Sequence, residues 1–422
     1  MKKCLLIYCF LAPLVVFSQS LSIAELWKYQ GSSSLHKERT LKKSIALSER
    51  SEAMESWLPV FYGDAGLQHN IVIPTTPVPS IAFDPNAAPG SITPLRFATK
   101  WSSKAGVQLE WKIFDPLRSK EMKIKNLQVQ KTELENQEML HNWKKDATLA
   151  YTSVVLASLQ YEQYRQDSIH YSHVLASIKE RAAEGRALAS EYLEAQQEME
   201  RIKIRRIEAW GVLSESSLLL LDEVPNLSIH QLTSGLDEIV GFLHDFQHPN
   251  FKQLSLQTDL QIAKQQLLQE QAQRWPSLSL QSYYGAQYYD NSLRLGAWDQ
   301  WFGNSYAAIS LRIPLSEHFY GTATSKKNKL QLQLNLLQLE TQTSDDVLRD
   351  TQIQIKHFTS AQKVNHLQEI LNLATENADI QYSAFQEGRI LLSDFHLALL
   401  SQTQAQQNVW QAQYEWVEAL LN

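Results

Sequence analysis

Residues 322–387 contain neither proline nor glycine, and from Arg389 to Asn422 the chain again has neither. A glycine isolated in such a run, as Gly388 is, costs ~1 kcal/mol of helix stability relative to alanine, so it marks a place where the backbone does something other than continue. The stretch around it, "EGRILLSDF" (Glu387–Phe395), has a counterpart in "EGRALASEY" (Glu184–Tyr192). Aligning Gly185 with Gly388 sets an offset of 203 residues, close to half of the 422-residue chain. On that alignment Arg186 pairs with Arg389, Ser190 with Ser393, Glu191 with Asp394, Tyr192 with Phe395 and Ala195 with Ala398. Upstream, "SWLPVFYGDAGLQ" parallels "RWPSLSLQSYYGAQ", and "EWKIFDPL" parallels "SLRIPL". Both halves run in the same order of helix, strand, loop, strand, long helix, glycine and helix, which a duplication explains.

The strand assignments rest on alternation. In "SKAGVQLEWKIF" one face carries Ala105, Val107, Leu109, Trp111 and Ile113, and the other Lys104, Gly106, Gln108, Glu110 and Lys112. Period-2 patterning with every charge on one face predicts a strand covered on one side only. "SLSLQSYYGAQYY" places Leu278, Leu280, Tyr284, Ala286 and Tyr288 on one side, interrupted by Ser282. Residues 306–313 alternate through Ile309, Leu311 and Ile313, and Phe61, Gly63, Ala65 and Leu67 form the weakest case. Strands of about 10 residues are long enough to cross a bilayer when tilted in a barrel. A soluble sandwich with one buried face is the alternative; Trp57, Trp101, Trp111, Trp275 and Trp301 at the strand ends favour a membrane barrel with interfacial aromatics. The strand pairs are joined by a proline-rich loop from Asn70 to Lys100 and a shorter one from Asp290 to Asn304.

The helical parts follow heptads. From Trp143 the apolar or small positions are Ala147, Ala150, Val154, Ala157, Tyr161, Tyr164, Ser168, Tyr171, Leu175 and Ile178, alternating steps of four and three. Val364, Leu367, Leu371, Ala374, Ala378, Gln381 and Phe385 repeat the pattern, as does the run from Ala398 to Ala419. Such a seam is coiled-coil-like. A capping box from Ser22 to Glu25 predicts a helix start, with the helix ending near Ser56. Further helices are expected at 116–184, 186–221, 249–274, 315–387 and 389–421. The longest in the first half is ~100 Å at 1.5 Å per residue, and its neighbours are about half that, so two short helices end to end match one long one. Helices this long and thin ask for neighbouring copies to cover their remaining faces. The expected organisation is a first repeat over residues 21–222, a linker over 223–248, and a second repeat over 249–422.

The opening "MKKCLLIYCFLAPLVVFSQS" reads as a secretory signal peptide over residues 1–20, with cleavage after Ser18 or Ser20. Its apolar run, Cys4 to Phe17, is short for a spanning helix. Both cysteines, Cys4 and Cys9, lie within it, so the exported chain has no thiol for a disulfide, a nucleophile or a metal. Without Lys2 and Lys3, 37 basic residues face 45 acidic ones, a net charge of −8. No basic stripe interleaves with aromatics, which argues against nucleic acid. His170 and His173 stand three apart without a third ligand in register, so a zinc site is discounted. Asp345 and Asp346 read as a charged helix face. No nucleophile elbow, phosphate-cradling loop or zinc-protease helix motif is present, and the expectation is a non-enzyme without cofactor or metal.

Taken together, "HPNFKQLSLQTDLQIAKQQLLQEQAQRWPSLSLQ", "LRIPLSEHFYG" and the paired "EGRALASEYLEAQ" and "EGRILLSDFHLALLSQ" resemble the TolC family of outer-membrane efflux proteins over nearly the whole exported chain. The resemblance implies a mainly α fold with membrane β. Long helical hairpins would form a trimeric α-barrel in the periplasm, and four strands per protomer would contribute to a twelve-stranded β-barrel in the outer membrane of a Gram-negative bacterium. It implies an exit duct for small molecules or proteins, fed by a periplasmic adaptor and an inner-membrane pump driven by protons or ATP. The partners are then the other copies of the homotrimer, the adaptor, the pump and outer-membrane lipid. In that family the helix–turn–helix tips contact the adaptor, which maps here onto Gly185, Arg186, Ser190, Gly388, Arg389 and Ser393. Acidic residues beyond the tips constrict the closed channel, which maps onto Asp394 and Glu191. Leu397, one turn further, departs from a second acidic ring. The other reading of Glu191 and Asp394 is that they cap helix starts, where the helix dipole favours carboxylates. A periplasmic coiled-coil scaffold without a pore is the alternative function.

Overall fold

The computed structural model describes residues 21–31, 34–225, 232–244, 246, 248–316 and 322–422. The expected signal peptide with both cysteines, parts of the expected linker, and the end of "LRIPLSEHFYG" lie outside the described residues. Helix α1 (Ile23–Leu26) opens on a complete capping box: the Glu25 amide donates to Ser22 Oγ at 3.3 Å, and the Ser22 amide donates to Glu25 Oε2 at 3.0 Å. The single helix expected from here to Ser56 is instead interrupted. Trp27–Gly31 tightens into a 3₁₀ turn before α2 (Ser34–Glu55) begins. Tertiary contacts override the local signal here, because Ile23 and Leu26 are buried and Trp27 Nε1 donates to Thr148 Oγ1 at 3.1 Å.

Strand β1 (Val60–His69) precedes a short hairpin, β2 (Thr76–Pro79) with β3 (Ile92–Leu95), inside the loop that the sequence showed only as proline-rich. Strand β4 (Trp101–Phe114) leads into α3 (Pro116–Ala183). Proline suits the first helical position, where its missing N–H would be unpaired anyway, and Asp115 Oδ1 accepts the next amide, that of Leu117, at 3.0 Å. After α4 (Ala189–Glu223), the expected linker contains a helix, α5 (Leu236–Leu243), with Ile239 and Leu243 buried. Then follow α6 (Phe251–Ala272), β5 (Ser277–Asp290), β6 (Trp301–Arg312), α7 (Thr322–Gln386) and α8 (Leu392–Leu421). Strand β6 starts five residues before the expected Tyr306, because its pairing with β5 continues to Tyr288↔Trp301, whose rings lie 5.5 Å apart.

The chain divides into two compact units, and each takes segments from both halves of the repeat. One comprises Lys42–Leu134 and Lys252–Glu340. It holds an antiparallel sheet in the order β1-β4-β5-β6. Cross-strand partners share a face, so the register sorts the side chains. Phe61, Leu67, Val107, Trp111, Tyr284, Ile309 and Leu311 fall on one face and are exposed. Asp64, Lys104, Gln108, Glu110, Lys112 and Arg312 fall on the other. Trp111 and Trp101 sit near opposite ends of β4, with Trp301 opening β6. The helices of this unit are tied by polar contacts, Lys131 Nζ to Asp259 Oδ1 at 2.6 Å and Lys125 Nζ to Glu49 Oε2 at 2.8 Å.

The other unit comprises Met1–Leu41, Glu135–Phe251 and Thr341–Asn422. Its largest apolar cluster gathers Leu26, Trp143, Tyr151, Leu220, Ile239 and Val417. Tyr151 organises the cluster's polar centre: its hydroxyl donates to Leu21 O at 2.9 Å and accepts the Ser234 amide at 3.1 Å. The heptad positions of α3 point inward as expected, with Trp143, Ala147, Val154, Tyr164, Ser168, Tyr171 and Ile178 buried. Val364, Leu371, Ala378 and Phe385 do the same on α7.

Candidate functional site

Both repeat glycines sit at the turns that end α3 and α7, each with φ +73°. This left-handed region is open to glycine and costs other L-residues ~1–2 kcal/mol. Nothing lies within 4 Å of where a Cβ would stand on either, so conformation and not space requires glycine. At the first turn the Arg186 amide reaches back to Arg181 O at 2.8 Å and the Gly185 amide to Ala182 O at 3.1 Å. At the second, Arg389 N–H meets Ala384 O at 2.9 Å and Gly388 N–H meets Phe385 O at 3.0 Å. These paired 6→1 and 5→2 bonds are the Schellman motif, which satisfies the carbonyls left free at a helix end.

The residues after each glycine repeat the same geometry. Arg186 pairs with Glu184, and Arg389 Nη2 lies 2.7 Å from Glu387 Oε2. All four side chains are exposed, so the pairs contribute little stability and leave the guanidinium groups accessible. Ser190 and Ser393 are exposed on the first turns of α4 and α8. Glu191 Oε2 accepts the Leu188 amide at 3.1 Å, and Asp394 Oδ2 accepts the Leu391 amide at 3.4 Å. Both carboxylates thus occupy the third helical position and satisfy the amide of the capping residue, half of a capping box. The other half is missing because Leu188 and Leu391 have no hydroxyl. These two leucines occupy equivalent repeat positions and are 67% and 63% exposed. Sequence reasoning passed over them, although the 203-residue offset pairs them too.

Beneath the turns lies a second core of Tyr171, Val174, Ile178, Ala195, Phe385, Leu392 and Phe395. Phe385 and Phe395 stack at 5.8 Å. Arg181, also missed from sequence, joins the two tips: its guanidinium donates to Gln386 O at 2.7 Å and Phe385 O at 3.3 Å, and lies 5.4 Å from the Phe385 ring centre. The equivalent residue of the second repeat is Ala384, so the link runs one way. Two residues beyond Asp394, His396 Nε2 lies 2.5 Å from the Tyr171 hydroxyl, and burial holds its imidazole pKa below the ordinary value. An open groove of about 750 Å³ borders the second tip, lined by Glu376, Asp379, Ser383, Glu387 and Arg389 among others.

The sites weighed and set aside also have positions. His170 and His173 are exposed on α3, and among the described residues no three His, Cys, Asp or Glu side chains gather as a metal site. Asp345 is exposed, whereas Asp346 is buried and accepts hydrogen bonds from Asn250 and Gln342. Among the described residues no helix is long and apolar enough to cross a membrane.

The sequence matches no family model and no curated protein. Solved structures do match. The Campylobacter jejuni CmeC outer membrane channel superposes with a TM-score of 0.72 at 12% identity, covering 94% of this chain and 84% of that one. The outer membrane protein VceC from Vibrio cholerae gives 0.68 at 13% identity, with 94% of each chain covered. The open state of the Neisseria gonorrhoeae MtrE outer membrane channel gives 0.69 at 13% identity over 94% and 87%. The chain has the fold of the outer-membrane channels. This channel fold is the one that the resemblance to the TolC family implies.

Proposed function

We propose that the protein is the outer-membrane exit duct of a tripartite efflux or secretion system and is not an enzyme. The observation that carries this reading is the four-stranded sheet. One face is an exposed run of Phe, Leu, Val, Ile and Tyr, too apolar to be left in water. The other face carries Asp64, Lys104, Glu110, Lys112 and Arg312, and the apolar face has the charged Asp290 at the end of β5. Among the described residues the outer strands of the sheet, β1 and β6, each pair on one side only. A membrane excludes open strand edges, so such a sheet has to close with copies of itself. Three copies would give twelve strands, with the apolar faces toward lipid and the helical parts in the periplasm of a Gram-negative bacterium. The fold shared with CmeC, VceC and MtrE supports this assignment.

Within the same reading, the tips meet a periplasmic adaptor through Gly185, Arg186, Ser190, Gly388, Arg389 and Ser393, and the adaptor joins the duct to a proton- or ATP-driven pump. Exposed Leu188 and Leu391 and the accessible arginines suit a docking surface. Asp394 and Glu191 are assigned to the constriction, in addition to the capping bonds they make. Membrane fractionation with gel mobility tested before and after heating is the direct test. The expected result is an outer-membrane protein that runs as a trimer until boiled. A soluble periplasmic monomer would overturn the duct and favour a coiled-coil scaffold.

A further inference from the structure

The helices of the sheet-bearing unit follow the order of its strands. Helix α2 is tied to α3 by Lys125–Glu49 at 2.8 Å and Lys43–Glu133 at 3.0 Å. Helix α3 is tied to α6 by Lys131–Asp259 at 2.6 Å, and α6 to α7 by Asn335 Nδ2, which donates to Asp259 O at 3.3 Å. The order α2-α3-α6-α7 therefore repeats β1-β4-β5-β6, with α2 leading into β1 and α7 following β6. The flank helices α2 and α7 each continue one of the two edge strands.

Each flank helix buries one side and leaves the other bare. On α2, Ala46 and Ala53 are buried, and the opposite side carries Ser48, Ser51 and Glu55, with Glu52 beside them. On α7, Asn335 is buried, and the opposite side carries Lys326, Lys329, Leu330 and Leu337, the two leucines 55% and 59% exposed. One bare side offers large side chains and the other small ones, so they interdigitate with each other better than either does with its own copy.

Charge makes the same selection. The strand-proximal part of α2, residues 48–56, holds Glu49, Glu52 and Glu55 against Arg50 alone. The strand-proximal part of α7, residues 322–331, holds Lys326, Lys327 and Lys329 and no acid. Glu52, Glu55, Lys326 and Lys329 are exposed and make no ion pair among the described residues. A second α2 against α2 sets glutamates on glutamates, and α7 against α7 sets lysines on lysines. Only α2 against α7 pairs opposite signs. A contact between unlike surfaces is heterologous, and such contacts can close into a ring.

We infer that α2 of one copy packs antiparallel against α7 of the next copy of this chain. Lys326 and Lys329 then meet Glu52 and Glu55 near the strands, and Leu330 and Leu337 cover the serines of α2. The inference rests on the exit-duct reading, which asks for copies around one axis. It gives that reading the surfaces by which the helices join, and a reason why copies follow one another around a ring instead of pairing face to face.

Ser48→p-benzoylphenylalanine, irradiated in outer membranes, should give covalent oligomers whose cross-linked peptide lies within residues 322–340. Attachment to any other part of the protein, to another protein or to lipid alone would overturn the interface. Charge exchange supplies a second measurement. Lys326→Glu with Lys329→Glu should raise the monomer fraction on mild-detergent gels about tenfold, because two attractive exposed pairs become repulsive. Adding Glu52→Lys and Glu55→Lys should return it to the parent value, which recovery from a folding defect would not do. No rise in the first variant, or no recovery in the second, defeats the interface. Planar-bilayer conductance keeps the two readings apart. A parent protein that conducts while Ser48→p-benzoylphenylalanine cross-links elsewhere loses the helix interface alone, whereas one that forms neither oligomer nor pore loses the duct as well.

Discussion

At the residue scale, the two tips separate backbone requirements from side-chain roles. Gly185→Ala and Gly388→Ala should each lower stability by ~1–2 kcal/mol through the positive φ alone, which thermal unfolding of the two single variants would measure. The open space around both positions excludes a steric contribution. Arg181→Ala removes two charge-assisted hydrogen bonds to the end of α7. Amide exchange at residues 384–391 should quicken while exchange at residues 181–188 changes less, because the link has no counterpart running from the second tip. If the tips dock an adaptor as proposed, reversing both tip charges, with Arg186→Glu and Arg389→Glu, should reduce cross-linking to it while leaving the oligomer seen on gels unchanged. Unchanged cross-linking would remove the arginines from the docking surface. Asp394→Ala loses a capping bond to Leu391 and should cost ~1 kcal/mol. If Asp394 also narrows the channel, single-channel conductance rises in the same variant, and unchanged conductance would leave capping as its role.

At the scale of elements, the core around Tyr151 carries a pH dependence. His141 on α3 stacks on Phe246 at 4.8 Å and faces His248 at 6.1 Å, with Phe251 at 5.6 Å. Burial, then the nearby charges of His248, Lys145 and Lys144, holds the His141 imidazole down to a pKa of about 4. His248 is lowered as well, again chiefly by burial. A histidine whose pKa is lower folded than unfolded binds more protons when unfolded, so its contribution to stability is complete above about 6.5 and is lost as pH falls toward 4. Thermal unfolding should therefore move to lower temperature across that window. His141→Phe, which keeps a ring against Phe246, should flatten the curve relative to the parent. An identical pH profile in the variant would assign the acid sensitivity to other groups.

For the whole molecule, the decisive question is what covers the edges of the sheet. Among the described residues β1 and β6 each have one paired neighbour, and their exposed apolar side chains continue across the same face as those of β4 and β5. No cysteine occurs after Cys9, so with Cys4 and Cys9 replaced by alanine the introduced cysteines report without background. One cysteine in β1 and one in β6, each replacing an exposed residue on the edge, should yield covalent dimers and trimers on oxidation of outer membranes. Either cysteine alone should not. Monomer throughout would mean that the sheet does not close with its copies.

Much of this was legible in the sequence, and the reason is that the signals were periodic or stereochemical. The alternation in β4 separates Lys104, Gln108 and Glu110 from Val107, Leu109 and Trp111 because a strand places neighbours on opposite faces. The four-three seam of α3 names its buried positions, and an isolated glycine in a long helical run marks a turn, since few other residues enter positive φ. The repeat of 203 residues identified both tips without coordinates. What only the tertiary structure decided depends on partners far away in the chain. The break after Leu26 follows from burial of the first turn against α3, and α5 exists because Ile239 and Leu243 find a core to enter. The Arg181 link needs the end of α7, more than 200 residues on. The pairing of β4 with β5 sets Gln108 opposite Tyr283, about 175 residues on, a register that alternation alone leaves open. Local stereochemistry is written into short segments, whereas burial and register are properties of pairs, and the chain alone does not say which pairs meet.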